Sequence, residues 1–141
     1  MKGMLKENSL KNNTIIVTGG GSGLGKSMVE YFYDLGANVI ITSRREDLLV
    51  KVAKEINKPK KGKILPIACD VRNIDEVKNV INKSFDEFGK VDCLVNNAAG
   101  NFISPTERLS TRAFDAIIDI VLKGTVNFTL TLGKKWIKEK I

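Results

Sequence analysis

Short apolar runs alternate with longer amphipathic segments from residue 14 onward. The apolar runs are rich in Ile, Val and Leu, which is typical of parallel strands that are buried on both faces. The segments between them carry apolar residues at helical spacing. The pattern therefore predicts alternating strands and helices, that is, an α/β fold with a parallel sheet. We expect strands at residues 15–17, 38–42, 64–69 and 91–95, and helices at residues 24–35, 45–57, 74–88 and 111–138.

Apolar spacing and one proline indicate how these elements pack. Pro66 lies in the third apolar run, and because proline cannot donate a hydrogen bond to a neighbouring strand, this strand is expected at an edge. In open α/β sheets with the strand order 3-2-1-4-5-6 the third strand is the edge strand, so Pro66 agrees with that order. Four apolar residues of the first helix fall on one face: Leu24, Met28, Phe32 and Leu35.

Three glycines lie where the first strand meets the first helix. Gly19, Gly23 and Gly25 have the spacing G-x-x-x-G-x-G. Glycine permits positive φ and close approach of a ligand, while the N–H groups and the dipole of the helix attract a phosphate group. The strand before and the helix after favour a pyrophosphate-binding turn over a surface turn without a ligand. The predicted cofactor-binding turn consists of Gly19, Gly20, Gly21, Ser22, Gly23, Leu24 and Gly25.

The residues that follow the second strand indicate which nucleotide binds. In this kind of sheet, an Asp or Glu at that point accepts hydrogen bonds from a free ribose 2′-hydroxyl. Here the residues are Ser43, Arg44 and Arg45, whose hydroxyl and guanidinium groups suit a 2′-phosphate. The carboxylates Glu46 and Asp47 come later, where the first turn of the next helix favours them. We therefore predict NADP(H) rather than NAD(H), bound through Ser43 and Arg44.

Polar residues also follow the third and fourth strands, at the edge of the sheet where ligands bind in open α/β folds. Asp70 is suited to accept a hydrogen bond from the adenine amino group, or to cap its own loop. Arg72 is suited to a phosphate group of a substrate, or to a neighbouring carboxylate. The asparagines and small residues at 96–100 let the backbone pass close to a nucleotide, although loop stabilisation alone explains Asn97.

Composition narrows the class of protein. With 141 residues and 43% hydrophobic content, we expect a polar leader at residues 1–13 and a single domain at residues 14–141. No apolar stretch approaches the roughly 18 residues of a membrane span. We therefore expect no membrane partner and a cytoplasmic location, or the mitochondrial matrix in a eukaryote. Cys69 and Cys93 lie in apolar runs and are expected to be buried, reduced thiols.

The chain contains no histidine. Histidine-based triads, imidazole acid–base chemistry and zinc sites with histidine ligands are therefore excluded for this chain, and we expect no metal site. The formal net charge is +7, but the lysines are spread over the predicted helices and loops without interleaved aromatic residues. We therefore predict a solvated basic surface and no nucleic acid partner.

Taken together, the motifs resemble the short-chain dehydrogenase/reductase superfamily over about residues 14–139. The matching motifs are the glycine turn, Ser43-Arg44, Asp70-Val71 and the run from Asn96 to Gly100. The resemblance implies a Rossmann-type doubly wound parallel sheet. Residues 96–109 and 119–124 are more narrowly similar to the 2,4-dienoyl-CoA reductases of unsaturated fatty-acid β-oxidation. By resemblance we expect an NADPH-dependent oxidoreductase that reduces 2,4-dienoyl-CoA thioesters.

The resemblance also implies roles for individual residues. Asn101 corresponds to an asparagine that helps a tyrosine hold the thioester oxygen, where an amide donor stabilises the negative charge that develops during hydride addition. The contacts with acyl-CoA correspond to Arg72, Phe102 and Ser110. The cofactor contacts outside the glycine turn correspond to Ser43, Arg44, Asp70, Val71, Asn97, Ala98 and Gly100.

By resemblance, the chain is the N-terminal part of a single dinucleotide-binding domain. A doubly wound sheet of this order has six strands and the pattern predicts four, so we expect the sheet to stop after the helix that follows strand four. The catalytic tyrosine and lysine would lie beyond Ile141, because neither Tyr31 nor Tyr33 has a lysine four residues later. We therefore expect the 141-residue chain alone to be inactive and a full-length protein to form a homo-oligomer. The alternatives are a 3-oxoacyl or secondary-alcohol reductase of the same superfamily, and a non-catalytic nucleotide-binding or dimerisation fragment.

Overall fold

The computed structural model describes residues 5–57, 62–101 and 103–140. Its strands are β1 (Thr14–Thr18), β2 (Asn38–Ser43), β3 (Ile64–Ala68) and β4 (Cys93–Val95). Its helices are α1 (Gly23–Asp34), α2 (Glu46–Ile56), α3 (Ile74–Phe88), α4 (Thr111–Ile118) and α5 (Gly124–Glu139). A 3₁₀ turn spans Thr106–Arg108, and a π-helical turn, Asp119–Lys123, joins α4 to α5. The described strands form one parallel sheet in the order β3-β2-β1-β4.

Side chains alternate across the central strand β1, so different helices cover the two sides of the sheet. Ile15 and Val17 belong to a buried cluster with Val29 of α1 and Leu49 of α2. Ile16 points the other way, into a cluster with residues of α3 and α5. Helices on both faces of a parallel sheet confirm the predicted Rossmann-type, doubly wound α/β fold.

The edge position of β3 is the one that Pro66 predicts. Pro66 stands opposite Ile41 of β2. Within the described residues, β3 has no neighbour on its other side. The donor that proline lacks is therefore not needed by a second strand.

Helix α1 and its C-cap bury only part of the apolar face that the sequence predicts: Leu35 is buried and Phe32 packs against the core. Leu24, the first residue of that face, is 79% exposed. The buried residues of the helix are instead Gly25, Val29 and Tyr33. A Cβ atom at Gly25 would lie only 2.2 Å from the Gly19 carbonyl oxygen, so this glycine must face the turn. Residues four and eight positions further along then face the sheet.

The helical segment Thr111–Glu139 contacts the sheet on one side only. Phe128 and Leu132 are fully buried, whereas Leu122 and Leu130 are each 56% exposed. Its most apolar 18-residue window has a mean hydropathy of 1.3 and is 17% buried. By length and composition alone, this segment is long and apolar enough to cross a membrane. This corrects the expectation that no apolar stretch approaches the length of a membrane span. Core helices of soluble proteins meet the same two criteria, so the absence of a membrane partner stays a prediction.

The two cysteines differ in exposure. Cys69 is buried, as predicted, and burial raises the pKa of its thiol to about 12. Cys93 is exposed, so the prediction that it is buried is wrong. It lies on β4, which among the described strands pairs only with β1 and is therefore less well covered. Partial desolvation and the charge of Asp92 raise the pKa of the Cys93 thiol.

We expect an aromatic disulfide reagent at about pH 8 to modify only one cysteine rapidly in the folded protein. A thiol with a pKa of about 12 is ionised to roughly one part in 10,000 at that pH, and Cys69 is also only 2% exposed. Cys93→Ser should therefore remove the fast reaction, and Cys69→Ser should leave it. The release of the coloured thiolate measures both rates, and equal rates would contradict the burial of Cys69.

Candidate functional site

A cleft of about 220 Å³ opens at the carboxyl ends of β1, β2 and β3. This edge is where ligands bind in open α/β sheets. Eight predicted cofactor residues line it: Gly19, Gly21, Ser22, Ser43, Arg44, Asp70, Val71 and Ala98. Five further described residues line it. Arg45 and Ala99 belong to the stretches that the sequence singles out after β2 and β4, whereas the sequence did not single out the other three as site residues: Leu48, Cys69 and Ile120. Six predicted cofactor residues are not among those lining it: Gly20, Gly23, Leu24, Gly25, Asn97 and Gly100.

Two close contacts shape the glycine turn. Gly19 has a φ of 69°, and its N–H group donates to the Thr42 carbonyl oxygen at 2.7 Å. The Gly19 carbonyl oxygen is the atom that a Cβ at Gly25 would approach to 2.2 Å. The first turn of α1 therefore lies directly against the end of β1, with no side chain between the two backbones.

The start of α1 has the donors that a phosphate group needs. The first N–H groups of a helix have no partner within the helix. The side chain of the N-cap residue Ser22 makes no capping hydrogen bond among the described residues, and the first turn of this helix contains no acidic residue. A Cβ at Gly23 would meet no described atom within 4 Å, so the approach to the helix start is open. The turn therefore fits an anionic group such as the pyrophosphate of a dinucleotide.

A hydroxyl group at the end of β1 joins the glycine turn to the loop after β4. Thr18 Oγ1 accepts hydrogen bonds from the backbone N–H groups of Asn97 and Ala98, both at 2.9 Å. The Asn97 side-chain amide donates to the Thr18 carbonyl oxygen at 3.0 Å. Asn97 thus stabilises the loop, which is the role that the sequence analysis gave as sufficient to explain this residue. Its contact with a cofactor stays a prediction. The sequence carries a signal for Thr18, because a hydroxyl at the end of a buried strand needs a partner.

Two guanidinium groups border the cleft at the end of β2. Arg44 and Arg45 are exposed and line the cleft, together with Ser43. The backbone N–H group of Arg45 donates a hydrogen bond to Ser43 Oγ at 3.3 Å. Glu46 and Asp47 lie in the first turn of α2, as predicted, and are not among the described residues that line the cleft. This end of the cleft is therefore positively charged and suits a phosphate group.

Asp70 and Arg72 form an ion pair at the rim of the cleft. Arg72 Nε lies 2.9 and 3.1 Å from the two Asp70 carboxylate oxygens. The backbone N–H group of Arg72 also donates a hydrogen bond to Asp70 Oδ1 at 3.0 Å. The hydrogen bond from the Arg72 side chain is the main reason that the pKa of the Asp70 carboxyl is lowered from its ordinary value. In this structure Arg72 therefore forms its ion pair with the neighbouring carboxylate of Asp70, and Asp70 caps its own loop. Their contacts with acyl-CoA and adenine stay predictions.

The described residues predicted to contact the substrate are not among those that line the cleft. Asn101 is exposed in the loop after β4. Ser110 is the N-cap of α4, and its Oγ accepts a hydrogen bond from the Ala113 N–H group at 3.2 Å. Phe102 lies outside the described residues. The described structure therefore does not bring the predicted substrate residues together in one site.

The parallel sheet, the glycine turn and the positively charged end of the cleft define a Rossmann-type nucleotide-binding fold. A family model described as short chain dehydrogenase matches residues 13–140. The chain belongs to this family of oxidoreductases.

Several similar proteins are named as 2,4-dienoyl-CoA reductases. The probable 2,4-dienoyl-CoA reductase 3 of Caenorhabditis elegans is 47% identical over 97% of this chain and 45% of its own length. The probable 2,4-dienoyl-CoA reductase of Bacillus subtilis is 37% identical over 93% of this chain and 51% of its own length. A crystal structure of a short chain dehydrogenase from Bacillus anthracis has a TM-score of 0.89 and 42% identity, over 94% of this chain and 55% of that chain. The chain thus spans about half the length of the curated relatives that it matches.

Proposed function

We propose that this chain is the NADPH-binding part of a reductase that acts on 2,4-dienoyl-CoA thioesters. The observation that carries the cofactor assignment is the end of β2, where Ser43, Arg44 and Arg45 border the cleft. In this fold the adenosine ribose lies at that point. Two guanidinium groups there favour a ribose that carries a 2′-phosphate.

Each part of the cleft then has a partner on the cofactor. The start of α1 holds the pyrophosphate, Arg44 holds the 2′-phosphate, and Asp70 accepts a hydrogen bond from the adenine amino group. Val71 and Ala98 line the cleft beside them. When bound, NADPH supplies the hydride. The contribution of this chain is to bind the nucleotide and to orient it.

The substrate assignment is supported by the names of the relatives. Hydride addition to the far end of a conjugated dienoyl thioester moves negative charge onto the thioester oxygen, and an oriented amide donor stabilises that charge. Asn101 is exposed and therefore accessible to such a ligand. Arg72, Phe102 and Ser110 would contact the acyl-CoA, and Arg72 would have to leave Asp70 to do so.

Cofactor binding tests the first part of the proposal with the 141-residue chain itself. Titration followed by the fluorescence of the reduced nicotinamide gives the Kd of NADPH and of NADH. We expect NADPH to bind at least about tenfold more tightly, because a charge-assisted hydrogen bond to the 2′-phosphate is worth that much or more. Equal affinities would overturn the assignment of Arg44 to the 2′-phosphate.

Turnover tests the second part and separates the alternatives. The assay compares this chain with a fusion to the second half of the Caenorhabditis elegans relative, since the chain covers 45% of that protein. We expect the fusion to oxidise NADPH with a 2,4-dienoyl-CoA, and the 141-residue chain to be inactive. Activity with a 3-oxoacyl-CoA or a ketone instead would favour a carbonyl reductase. Tight NADPH binding without turnover would favour a nucleotide-binding module.

We expect Asn101→Ala in this fusion to lower kcat with a 2,4-dienoyl-CoA by about 100-fold, since one preorganised donor at a developing oxyanion contributes that much. The Kd of NADPH should change less than about twofold, because the amide acts on charge that develops in the transition state. Ser104→Ala is the matched control, since its hydroxyl lies in the same loop and donates to the Pro105 carbonyl oxygen at 3.2 Å. An unchanged kcat for Asn101→Ala would leave Asn101 as a turn residue only.

A further inference from the structure

Asn127 of α5 contacts the loop that carries Asp70. Its Nδ2 donates to the Val71 carbonyl oxygen at 3.0 Å and lies 3.4 Å from the Arg72 carbonyl oxygen. The side chain is half-buried and is not among the described residues that line the cleft. One side-chain amide therefore contacts the carbonyl oxygens of the two residues that follow Asp70.

The same helix also positions the Val71 side chain. Gly124 lies one turn before Asn127, and a Cβ atom at Gly124 would come within 2.5 Å of Val71 Cγ2. Val71 is 7% exposed and lines the cleft. Helix α5 therefore contacts this loop twice, through a close backbone approach and through the amide of Asn127.

The loop is held from its other end by α3. Glu76 Oε2 accepts a hydrogen bond from the Asp70 N–H group at 2.7 Å. The Asp70 side chain itself accepts from Arg72. The Asp70 N–H group and the carbonyl oxygens of Val71 and Arg72 are thus held by side chains of two different helices, on either side of the Asp70 carboxylate.

We propose that Asn127 is a positioning residue for adenine recognition, because it holds the loop so that the Asp70 carboxylate meets the adenine amino group. The inference rests on the proposed function, in which Asp70 accepts that hydrogen bond. A hydrogen bond weakens steeply outside its narrow range of distance and angle. A loop that moves by about 1 Å therefore loses this contact, while contacts made by the glycine turn and by Arg44 are kept.

The test uses a pair of cofactors that differ in the group Asp70 would recognise. NADP⁺ has an adenine amino donor, and nicotinamide hypoxanthine dinucleotide phosphate has a carbonyl acceptor in its place. For the unchanged chain we expect NADP⁺ to bind about tenfold more tightly than the hypoxanthine analogue, measured by calorimetric titration. Asn127→Ala should reduce this ratio to about two or less and leave the Kd of the analogue nearly unchanged.

Two further variants keep the test specific. Thr129→Ala removes the hydrogen bond that Asn96 donates to the same helix at 3.1 Å, and it should keep the tenfold ratio. Asn127→Gln retains an amide donor and should recover part of the ratio. If Asn127→Ala weakens both cofactors equally, its role is structural only and the proposal is overturned.

Failure of this inference is distinguishable from failure of the proposed function. If the unchanged chain binds neither cofactor, the proposed function and the inference fall together. If it binds both cofactors equally tightly, NADP(H) binding stands, but Asp70 does not recognise the amino group and the inference is overturned. If it discriminates and Asn127→Ala discriminates as well, only the role of Asn127 is wrong.

Discussion

Replacing Gly25 with alanine is expected to destabilise the domain by about 3 kcal/mol and to abolish NADPH binding. The new Cβ would lie 2.2 Å from the Gly19 carbonyl oxygen and 2.7 Å from Asn97 Nδ2. Neither atom can move away easily, because the Gly19 N–H group donates a hydrogen bond to the Thr42 carbonyl oxygen and the Asn97 side-chain amide donates one to the Thr18 carbonyl oxygen. Helix α1 would have to move away from the turn, and this would displace the N–H groups proposed to hold the pyrophosphate.

Gly23→Ala is the matched control for the stability effect. Gly23 has a positive φ of 52°, unlike Gly25, but a Cβ there would meet no described atom within 4 Å. We expect this variant to cost about 1 kcal/mol, which is the strain of a left-handed residue alone. Urea unfolding followed by the fluorescence of Trp136, the single tryptophan of the chain, gives both free energies of unfolding. Equal losses in the two variants would contradict a tight contact at Gly25.

Local features of the sequence predict the order of the elements and most of the cleft. Pro66 indicates the edge strand, which is where β3 lies. Ser43, Arg44 and Asp70 follow directly after predicted strands. Because the carboxyl ends of parallel strands meet at one edge of the sheet, the topology alone brings these three residues to the cleft.

The orientation of α1 and the exposure of Cys93 depend on contacts that apolar spacing does not describe. The apolar pattern of α1 is compatible with two faces, and the choice between them is made by Gly25, which must lie against the Gly19 carbonyl. Cys93 has the sequence context of a buried strand residue, but β4 has only one described strand neighbour. Spacing indicates which residues share a face, whereas burial depends on what covers that face.

The contacts that support the cleft join residues far apart in the chain. Asn97 forms a hydrogen bond with Thr18, which is 79 residues away in the sequence, and Asn127 forms one with Val71, which is 56 residues away. A single sequence contains no signal for which amide meets which carbonyl, since many asparagines are suited to either role. The residues that line the cleft are therefore easier to predict from the sequence than the residues that hold the lining residues in place.

Replacing Arg44 with aspartate is expected to reverse the preference for NADPH over NADH. The change removes a guanidinium group from the end of β2 and places a carboxylate where a free 2′-hydroxyl is recognised in this fold. Binding of NADPH should weaken by about 100-fold, since a lost charge-assisted hydrogen bond is joined by repulsion between two anions. Binding of NADH should improve by about threefold to tenfold, because the new carboxylate accepts from the ribose hydroxyl.

The aspartate variant is more informative than Arg44→Ala because Arg45 also lines the cleft and would partly replace the lost positive charge. Arg112→Asp is the matched control, since it makes the same change of charge at an exposed position on α4, outside the cleft-lining residues that the structure describes. The measurement is the ratio of the two Kd values from nicotinamide fluorescence titrations at one salt concentration. A ratio that falls as far in Arg112→Asp as in Arg44→Asp would mean that the general positive field of the chain, and not Arg44, selects the 2′-phosphate.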